Sequence, residues 1–580
     1  MKRILYTSCL TFIALWIVGN ADAQRRRSTR KKVTVTKNQT KPAVANETRM
    51  DAAALADTSS PRVVTITSAF KPSLKNAAKI NFTAASTYVD SSRTPVTYAV
   101  PAQNLFFSYQ PVPIKPLALP VDTGFHWQND HSIRAGLGNF NSFLLAGSFS
   151  FGDGKKSNTI VNADYLSNKG DLFAQQYAKL GLSVLSVFNT NNNNEWTTKA
   201  TYKNTTRYFY GFDNTVPNFK KEDLLQRFNE AGIEIGLRNK KANAFNITYA
   251  PKLSLKYFAD NRQGKEYNAI LEAPLRKSFA NKFAIDLGIV ADIASTSVSI
   301  VPNTLKITNN LFYVSPSVQF QSKAFKVNAG IRPSWDNGKF ATLPNITAEA
   351  KIGETGLLVE AGWVGYFQKN GYRSLTDINP WILQPTSLVN TKIGEQYAGI
   401  RGAAGNHLTY RARLSFMRTN NQPLFPTSRS SLEGRFFDVF VEPEMDIVQL
   451  HGEIGYTLQE KLSLVGGLTY RQFTSLQKAE KAWGLLPLEV TGALRWKMFK
   501  DLQLKADIFL WDGSHYRNVN QTTLKLDPAA DLNIGAEFSV MPKLNLWIQL
   551  NNVLNNRYQR WNQYEVLGLN VLGGVVYSFR

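Results

Sequence analysis

The side chains best suited to acid–base, nucleophilic or metal chemistry are few and far apart in this sequence. The histidines are His126, His131, His407, His451 and His515, and no two of them have the spacing of metal ligands within one predicted strand or loop. No local motif marks a serine–histidine pair supported by an acid or an amide. Gly405 and Gly466 belong to predicted turns and strands and not to a phosphate-binding loop. The sequence therefore predicts no catalytic residue, no metal site and no cofactor, and the protein is not expected to be an enzyme.

Charged residues instead occupy every second position of extended segments. Between Leu408 and Phe416, apolar residues alternate with Arg411 and Arg413, which is the period of a β-strand with two different faces. An arginine on the lipid face of a membrane strand costs about 2–4 kcal/mol near the midplane, so we expect both arginines to face a polar lumen. The same alternation predicts further lumen-lining residues, and the full set is Arg411, Arg413, His451, Glu453, Lys505 and Asp507.

Segments of this kind recur from residue 125 to the end of the chain. The connections between them are either short, such as 153–154 and 542–543, or long, such as 368–392 and 511–526. This is typical of a barrel with short periplasmic turns and long external loops. We predict an all-β fold, a large antiparallel transmembrane β-barrel of about 22 strands (roughly 18–24, and even), with an extended N-terminal segment. Pro251 and Pro316 interrupt two segments, and because proline donates no ladder hydrogen bond, we expect a bulge at each.

The region Lys543–Arg580 contains the last two predicted strands, joined by a polar and aromatic loop. Leu546 and Ile548 fall on one face of the first strand, and Trp547 and Gln549 on the other. This end of the chain resembles the end of a TonB-dependent receptor barrel, where a strand ending in an Asn-rich stretch is followed by a loop, a glycine and a closing strand with a terminal aromatic. The matching positions are Asn552, Asn555, Tyr558, Tyr564, Gly568, Gly573, Tyr577 and Phe579.

The resemblance implies an outer-membrane barrel, assigned to residues 125–580. It also implies that the last strand carries a barrel-assembly signal, here Gly573, Val575, Tyr577 and Phe579. The resemblance is strongest over the final strands, looser back to the first predicted strand, and does not extend to the family's N-terminal plug domain. The sequence departs from the family pattern at its end, because Arg580 follows the aromatic residue that is usually the last one.

Residues 1–23 have the pattern of a secretory signal peptide. Lys2 and Arg3 precede the apolar segment Ile4–Gly19, and Ala21-Asp22-Ala23 matches a cleavage site before residue 24. A membrane anchor helix would need a longer apolar span. Cys9, the only cysteine, lies within the signal. The exported chain is therefore predicted to contain no disulfide, no cysteine-based metal site and no thiol nucleophile.

Residues 24–61 are predicted to form a disordered basic tail. Gln24–Lys41 contains eight Lys and Arg residues and no Asp or Glu, within a chain of formal net charge +24. Charge runs of this kind are usually solvated, and contact with acidic lipid headgroups or peptidoglycan is the alternative. Binding of nucleic acid is not expected, because an exported protein seldom meets any and the run contains no aromatic residue.

Residues 62–124 form a Pro-rich segment that is predicted to lie in the periplasm. Its prolines favour extended chain over a packed domain, and apolar residues such as Phe106 and Phe107 make it a candidate for partial filling of the lumen. The strand-forming run Val63, Val64, Thr65, Ile66 and Thr67 would add to a sheet edge of a periplasmic partner. This run is similar to the short coupling segment of TonB-dependent receptors, and a strand tucked under the barrel mouth is the alternative.

Three functions remain open for such a barrel. The preferred one is transport or assembly at the outer membrane with a partner, either a periplasmic coupling protein or a surface lipoprotein. The second is a passive, porin-like channel, and the third is a scaffold or adhesion barrel that presents external loops. A barrel of about 22 strands encloses a bore that known transporters keep plugged, so something must fill the lumen. Outer-membrane lipid is the other expected partner.

Overall fold

The computed structural model describes residues 129–579 apart from 191–192, 213–218, 280–281, 301, 354–355 and 431–432. The predicted signal peptide, basic tail and Pro-rich segment, the Val63–Thr67 strand and His126 lie outside the described residues. Within the described residues, no helix is long and apolar enough to cross a membrane.

Strands account for most of the described chain, and one short α-helix, α1 (Tyr372–Ile378), and one turn of 3₁₀ helix (Lys221–Leu224) lie between them. The first strands are β1 (His131–Gly138), β2 (Ser142–Gly152), β3 (Ser157–Lys169), β4 (Gln176–Asn189), β5 (Asn194–Tyr208), β6 (Leu225–Asn239), β7 (Ile247–Tyr249), β8 (Lys252–Asp260), β9 (Lys265–Phe279), β10 (Phe283–Ile300), β11 (Asn303–Gln321), β12 (Phe325–Asp336) and β13 (Lys339–Ile352). The remainder are β14 (Leu357–Gln368), β15 (Thr391–Ala404), β16 (Leu408–Leu424), β17 (Phe440–Leu458), β18 (Leu462–Thr474), β19 (Leu488–Lys497), β20 (Leu502–Trp511), β21 (His515–Arg517), β22 (Thr523–Lys525), β23 (Ala529–Met541), β24 (Leu544–Asn551), β25 (Gln559–Trp561), β26 (Tyr564–Glu565) and β27 (Asn570–Phe579).

The large sheet is antiparallel and closes on itself. Each barrel strand pairs with the next, and β27 pairs with β1 from Phe579 opposite His131 to Leu572 opposite Gly138. β7 and β8 are two parts of one barrel strand, whereas β21–β22 and β25–β26 are separate hairpins. The barrel therefore has 22 strands, and the predicted all-β fold and strand number are confirmed.

The two prolines interrupt their strands without the predicted bulges. On either side of Pro251, the pairing of this strand with β9 keeps one register. At Pro316, β11 keeps its pairing with β10 but loses its pairing with β12 between Tyr313 and Ser317, again without a change of register. The bulge prediction was wrong, because a ladder can omit the hydrogen bond that proline cannot donate without gaining an extra residue.

The two ends of the barrel differ in the length of their connections. β1 starts and β27 finishes on the side of the barrel that carries the short turns. None of these turns has more than seven residues. The opposite end carries the long loops 209–224, 369–390, 425–439, 475–487, 512–528 and 552–569. Because short turns of transmembrane barrels face the periplasm, the long loops are external.

The outer and inner faces of the strands differ in exposure. Leu414 and Phe416 are 41% and 54% exposed, whereas Ser415 between them is fully buried. Leu546 is likewise exposed and its neighbour Trp547 is buried. An apolar outer wall on a closed sheet, which leaves no unpaired edge in lipid, is the surface that a bilayer requires. The barrel therefore lies in an outer membrane.

Candidate functional site: the loop cap and the lumen wall

The long loops fold together across the external mouth of the barrel. Side chains of loop 209–224, which follows β5, pack against those of loops 369–390, 425–439 and 552–569, which follow β14, β16 and β24. These strands are spread around the ring, so their loops can meet only above the lumen. We call loops 209–224, 261–264, 369–390, 425–439, 475–487, 512–528 and 552–569 the loop cap.

An aromatic cluster forms the centre of the loop cap. The rings of Trp381 and Tyr564 stack with centroids 4.2 Å apart and planes 7° apart. Phe209 packs edge-on against Phe436 with ring centroids 4.8 Å apart. Trp381, Trp561 and Tyr564 are at most 1% exposed, although none of them lies in a barrel strand. Aromatic pairs contribute roughly 0.5–1.5 kcal/mol each beyond the area that they bury, so the loop cap has a hydrophobic core of its own.

Helix α1 is tied to the barrel rim by buried carboxylates. Tyr372 donates its hydroxyl to Asp260 Oδ2 at 2.6 Å and its backbone N–H to Glu266 Oε2. Gln384, further along the same loop, donates its amide to Asp260 Oδ2 at 2.8 Å. Burial and the neighbouring charge of Asp260 raise the pKa of Tyr372 well above its usual value, so its hydroxyl keeps its proton and remains a donor. Loop 369–390 is therefore fixed to β8 and β9 both at α1 and at Gln384.

Two arginines lie against aromatic rings at the edge of this cluster. The guanidinium of Arg262 is 4.4 Å from the Phe209 ring centroid. That of Arg435 is 4.0 Å from the centroid of Phe219 and 4.8 Å from that of Phe436. Burial lowers the pKa of Arg262, but an arginine stays charged in proteins. These contacts are therefore cation–π interactions, and they join loops 209–224, 261–264 and 425–439.

A second cluster holds loop 475–487 against the β16–β17 hairpin. Glu442, which is fully buried near the start of β17, accepts the backbone N–H groups of Gln477–Ala479 at 2.6, 2.9 and 2.6 Å. Trp483 of the same loop packs edge-on against Phe440, with ring centroids 5.5 Å apart. One carboxylate thus satisfies three successive donors of a loop that has no regular structure of its own.

The last loop contains most of the positions that resemble the receptor family. The side-chain amide of Asn552 donates to two backbone oxygens of this loop at 3.0 and 2.9 Å, and the side-chain oxygen of Asn555 accepts a backbone N–H at 2.9 Å. Tyr558 donates its hydroxyl to Asp531, and Tyr564 donates to a backbone oxygen of loop 425–439 at 2.6 Å. These residues therefore shape loop 552–569 and place its tyrosines in the loop cap.

Sequence reasoning missed the loop cap because it treated the loops as separate connections. The available signal was the aromatic content of segments that would otherwise be polar turns. Trp381, Phe425, Phe436, Phe437, Trp483, Trp561 and Tyr564 all lie between barrel strands.

The predicted lumen arginines share one carboxylate. Arg411 and Arg413 donate to Glu360 at 2.9 and 2.7 Å across the intervening strand β15. The guanidinium of Arg413 also lies 3.7 Å from the Tyr397 ring centroid. Sequence reasoning missed Glu360, and the signal that could have found it was a lone acid among apolar and small residues in one strand.

The other four predicted lumen residues also have polar neighbours on the inner face. His451 Nδ1 lies 2.9 Å from Thr469 Oγ1, and its Nε2 lies 3.9 Å from Glu453. Lys505 donates to Gln549 Oε1 at 3.3 Å, and Asp507 pairs with Arg495 at 2.9 Å. Further ion pairs of the wall are Arg134–Glu537, Lys252–Glu272 and Arg276–Asp286. These paired charges of the lumen wall therefore compensate one another locally.

The four residues predicted as an assembly signal lie on β27, at the seam where the sheet closes. Val575 and Tyr577 are 41% and 47% exposed. The ring of Phe579 lies 5.2 Å from that of His131, its partner in β1, and Gly573 is paired with β1 as well. Their role in assembly stays a prediction.

The described histidines are as separate in space as in sequence. His131 lies at the seam, His407 in a short turn, His451 in the lumen wall and His515 in the loop cap. Within the part of the chain that the structure describes, no three His, Cys, Asp or Glu side chains are grouped so as to hold a metal ion.

Solved structures of outer-membrane receptors have the same fold. The chain is similar to the FrpB iron transporter from Neisseria meningitidis, with a TM-score of 0.60 and 11% identity over 78% of this chain and 82% of that one. It is similar to the siderophore receptor PirA from Acinetobacter baumannii, with a TM-score of 0.60 and 8% identity over 78% and 80% of the two chains.

A variant of the ferric enterobactin receptor PfeA from Pseudomonas aeruginosa gives a TM-score of 0.59 and 11% identity over 78% of this chain and 81% of that one. No family model and no curated protein matches the sequence. At these identities the likeness concerns the fold. It confirms the resemblance to receptor barrels that the last strands indicated.

Proposed function

We propose that this outer-membrane barrel acts in transport or assembly together with a partner and that the loop cap is its closed gate. The observation that carries the proposal is the aromatic core of the loop cap, in which Trp381 and Tyr564 from distant loops are buried against each other. A stable closed state opens only as far as a ligand or partner interacts more favourably with the open state. For this reason the partner is part of the proposal.

A passive, porin-like channel fits these features less well. A wide porin keeps an aqueous bore, whereas here loops from several sectors of the ring pack together over the lumen. The scaffold function would use the same loop cap as a fixed external surface. The two remaining functions therefore differ in whether the loop cap opens.

The partner is proposed to act from the periplasm through Val63–Thr67. An extended segment of this kind gains affinity by adding a strand to an exposed sheet edge. Because an extended chain spans about 3.3 Å per residue, the stretch between Thr67 and His131 is long enough to reach well beyond the barrel. The rest of the Pro-rich segment, within residues 62–124, is proposed to fill the periplasmic side of the lumen only partly, so that it excludes large solutes and leaves a path for ions.

Two deletions test this proposal. Removal of residues 62–120 should abolish copurification of the periplasmic partner and, in a barrel whose loop cap is opened by Trp381→Ala and Tyr564→Ala, raise the permeability of cells to large antibiotics. Removal of residues 24–60 is the matched control and should do neither. Both deletion proteins must reach the outer membrane as heat-modifiable barrels for the comparison to apply.

Two outcomes would contradict the proposal. If the full chain copurifies with no periplasmic coupling protein and no surface lipoprotein, the barrel works without a partner. If permeability is also unchanged when the longer deletion is combined with the opened loop cap, the Pro-rich segment does not fill the lumen.

A further inference from the structure

The short turns of the barrel carry a ring of exposed lysines. Ten connections lie at this end, and seven of them contain lysine. The nine residues, which we call the lysine ring, are Lys155, Lys156, Lys240, Lys241, Lys282, Lys323, Lys461, Lys500 and Lys543, and all are exposed. In the described part of the chain, none of their ammonium groups forms an ion pair or a hydrogen bond.

The excess of positive charge is concentrated at the end of the barrel that carries the short turns. The same ten turns contain four acids, whereas the connections at the external end contain thirteen Lys and Arg residues and eleven Asp and Glu residues. By contrast, two lysines of the lumen wall form ion pairs, Lys203 with Glu230 at 2.7 Å and Lys252 with Glu272 at 2.6 Å. The positive charge of the lysine ring is therefore available to bind a partner outside the chain.

The acid of the first turn is bound by backbone N–H groups and not by the ammonium groups of its lysines. The backbone N–H groups of Ser157, Lys155 and Lys156 donate to Asp153 Oδ1 at 3.0, 2.9 and 2.7 Å. These bonds lower the pKa of Asp153 to about 2. The carboxylate is thus engaged by the backbone, while both ammonium groups of the turn remain available.

Exposed aromatic residues accompany the lysine ring. Phe151, Phe245, Phe283, Phe325 and Phe499 are 50%, 72%, 50%, 45% and 62% exposed, and each lies within four residues of a ring lysine. Aromatic side chains of this kind sit at the headgroup level of a bilayer. Lysine can place its stem along apolar surface and its ammonium group in the polar layer. The lysine ring therefore lies at the depth of lipid headgroups.

The distribution of the lysine ring favours lipid over a protein partner. The turns that carry it run from the β2–β3 connection to the β23–β24 connection, and so they encircle the barrel. A docked protein would contact one sector, whereas the bilayer surrounds the whole barrel. We propose that the lysine ring binds the phosphate groups of anionic phospholipids in the periplasmic leaflet, with the neighbouring aromatic residues seated at the boundary of the acyl chains.

Lipid binding by the purified full-length protein tests this proposal. The protein is incubated in mixed micelles with phosphatidylglycerol or phosphatidylcholine, and retained lipid is counted by mass spectrometry. The turn variant combines Lys240→Gln, Lys241→Gln, Lys282→Gln and Lys323→Gln. The matched control combines Lys220→Gln, Lys339→Gln, Lys478→Gln and Lys481→Gln, which are exposed at the external end.

We expect the wild-type protein and the control to retain several-fold more phosphatidylglycerol than phosphatidylcholine. The turn variant should lose this preference, and high salt should weaken it, because charges at this surface are screened over about 8 Å at physiological ionic strength. Arginine at the same four positions keeps the charge and should keep the preference. If the glutamine variant inserts poorly, the arginine variant still tests the proposal, because loss of its preference for phosphatidylglycerol would contradict a role of the charge.

Three results of the lipid-binding experiment would overturn the proposal. They are the absence of a preference in the wild-type protein, an equal preference in the turn variant, and an equal loss in the control. Loss of a copurifying acidic periplasmic protein with lipid retention unchanged would likewise assign the lysine ring to a protein partner.

Discussion

The indole ring of Trp381 lies flat against the phenol ring of Tyr564, with centroids 4.2 Å apart. Trp381 belongs to the connection between β14 and β15, and Tyr564 to the connection between β24 and β27. Tyr210, from a third loop, packs edge-on against Tyr564 at 5.0 Å. One ring thus joins three sectors of the barrel, and its removal should loosen several loops at once.

Two substitutions of Tyr564 separate stacking from hydrogen bonding. Tyr564→Ala should destabilise the loop cap by about 3–5 kcal/mol, the range for truncation of a buried aromatic residue. Tyr564→Phe removes only the hydroxyl that donates to the Arg435 backbone oxygen and should cost about 1 kcal/mol. Protease sensitivity of loops 369–390 and 425–439 in the inserted barrel measures both effects. Equal sensitivity of the two variants would mean that the hydroxyl, and not the stack, holds the loop cap.

The three-donor contact of Glu442 predicts a local effect on loop 475–487. Glu442→Gln removes the charge that accepts the backbone N–H groups of Gln477–Ala479 and should cost roughly 1.5–3 kcal/mol, the contribution of a hydrogen bond to a charged group. Trypsin cleavage after Lys478 and Lys481 should then become faster. Glu444→Gln is the control, because Glu444 lies 3.8 Å from Arg418 and accepts the side-chain amide of Asn420 at 3.1 Å, both on the neighbouring strand β16. Equal cleavage of both variants would count against the role of Glu442.

Closure of the sheet predicts a difference between two C-terminal truncations. Phe579 pairs with His131 across the seam, and its ring lies 6.4 Å from that of Phe149. Removal of Phe579 and Arg580 should therefore impair insertion into the outer membrane far more than removal of Arg580 alone. The heat-modifiable fraction of each protein in outer-membrane preparations measures insertion, and equal fractions would be evidence against an assembly signal at this end.

The turn at Asp153 predicts a dependence of stability on pH. Its pKa is lowered to about 2 by backbone N–H groups, below its ordinary value of 3.8. A carboxylate with a lowered pKa stabilises the folded state above its ordinary pKa, and this contribution is lost as the pH falls towards its folded pKa. The stability difference between the wild-type protein and Asp153→Asn should therefore shrink between about pH 4 and pH 2. A difference that stays constant across this window in denaturant titrations would refute the assignment.

Much of the barrel could be predicted because the period of a strand is a local property. The alternation of Arg411 and Arg413 with apolar neighbours was enough to indicate a lumen, since an arginine in lipid is costly. Their shared partner Glu360 was not predictable in the same way, because it lies two strands away.

The loop cap depends on contacts between residues that are far apart in the chain. The hydroxyl of Tyr210 donates to the backbone oxygen of Glu565 at 3.0 Å, and nothing near either residue in the sequence indicates the other. From the sequence alone, the loops therefore look like independent connections. Filling of the lumen by the Pro-rich segment stays a prediction, and the loop cap covers the opposite, external end.

Planar-bilayer conductance of the full-length protein tests the closed loop cap most directly. We predict no large steady current from the wild-type barrel and frequent openings when Trp381→Ala and Tyr564→Ala are combined. Trp335→Ala is the control, because Trp335 is 38% exposed and lies outside the aromatic core of the loop cap, and it should behave as the wild-type protein does. A large steady current from the wild-type protein, equal to that of the double variant, would contradict the closed gate.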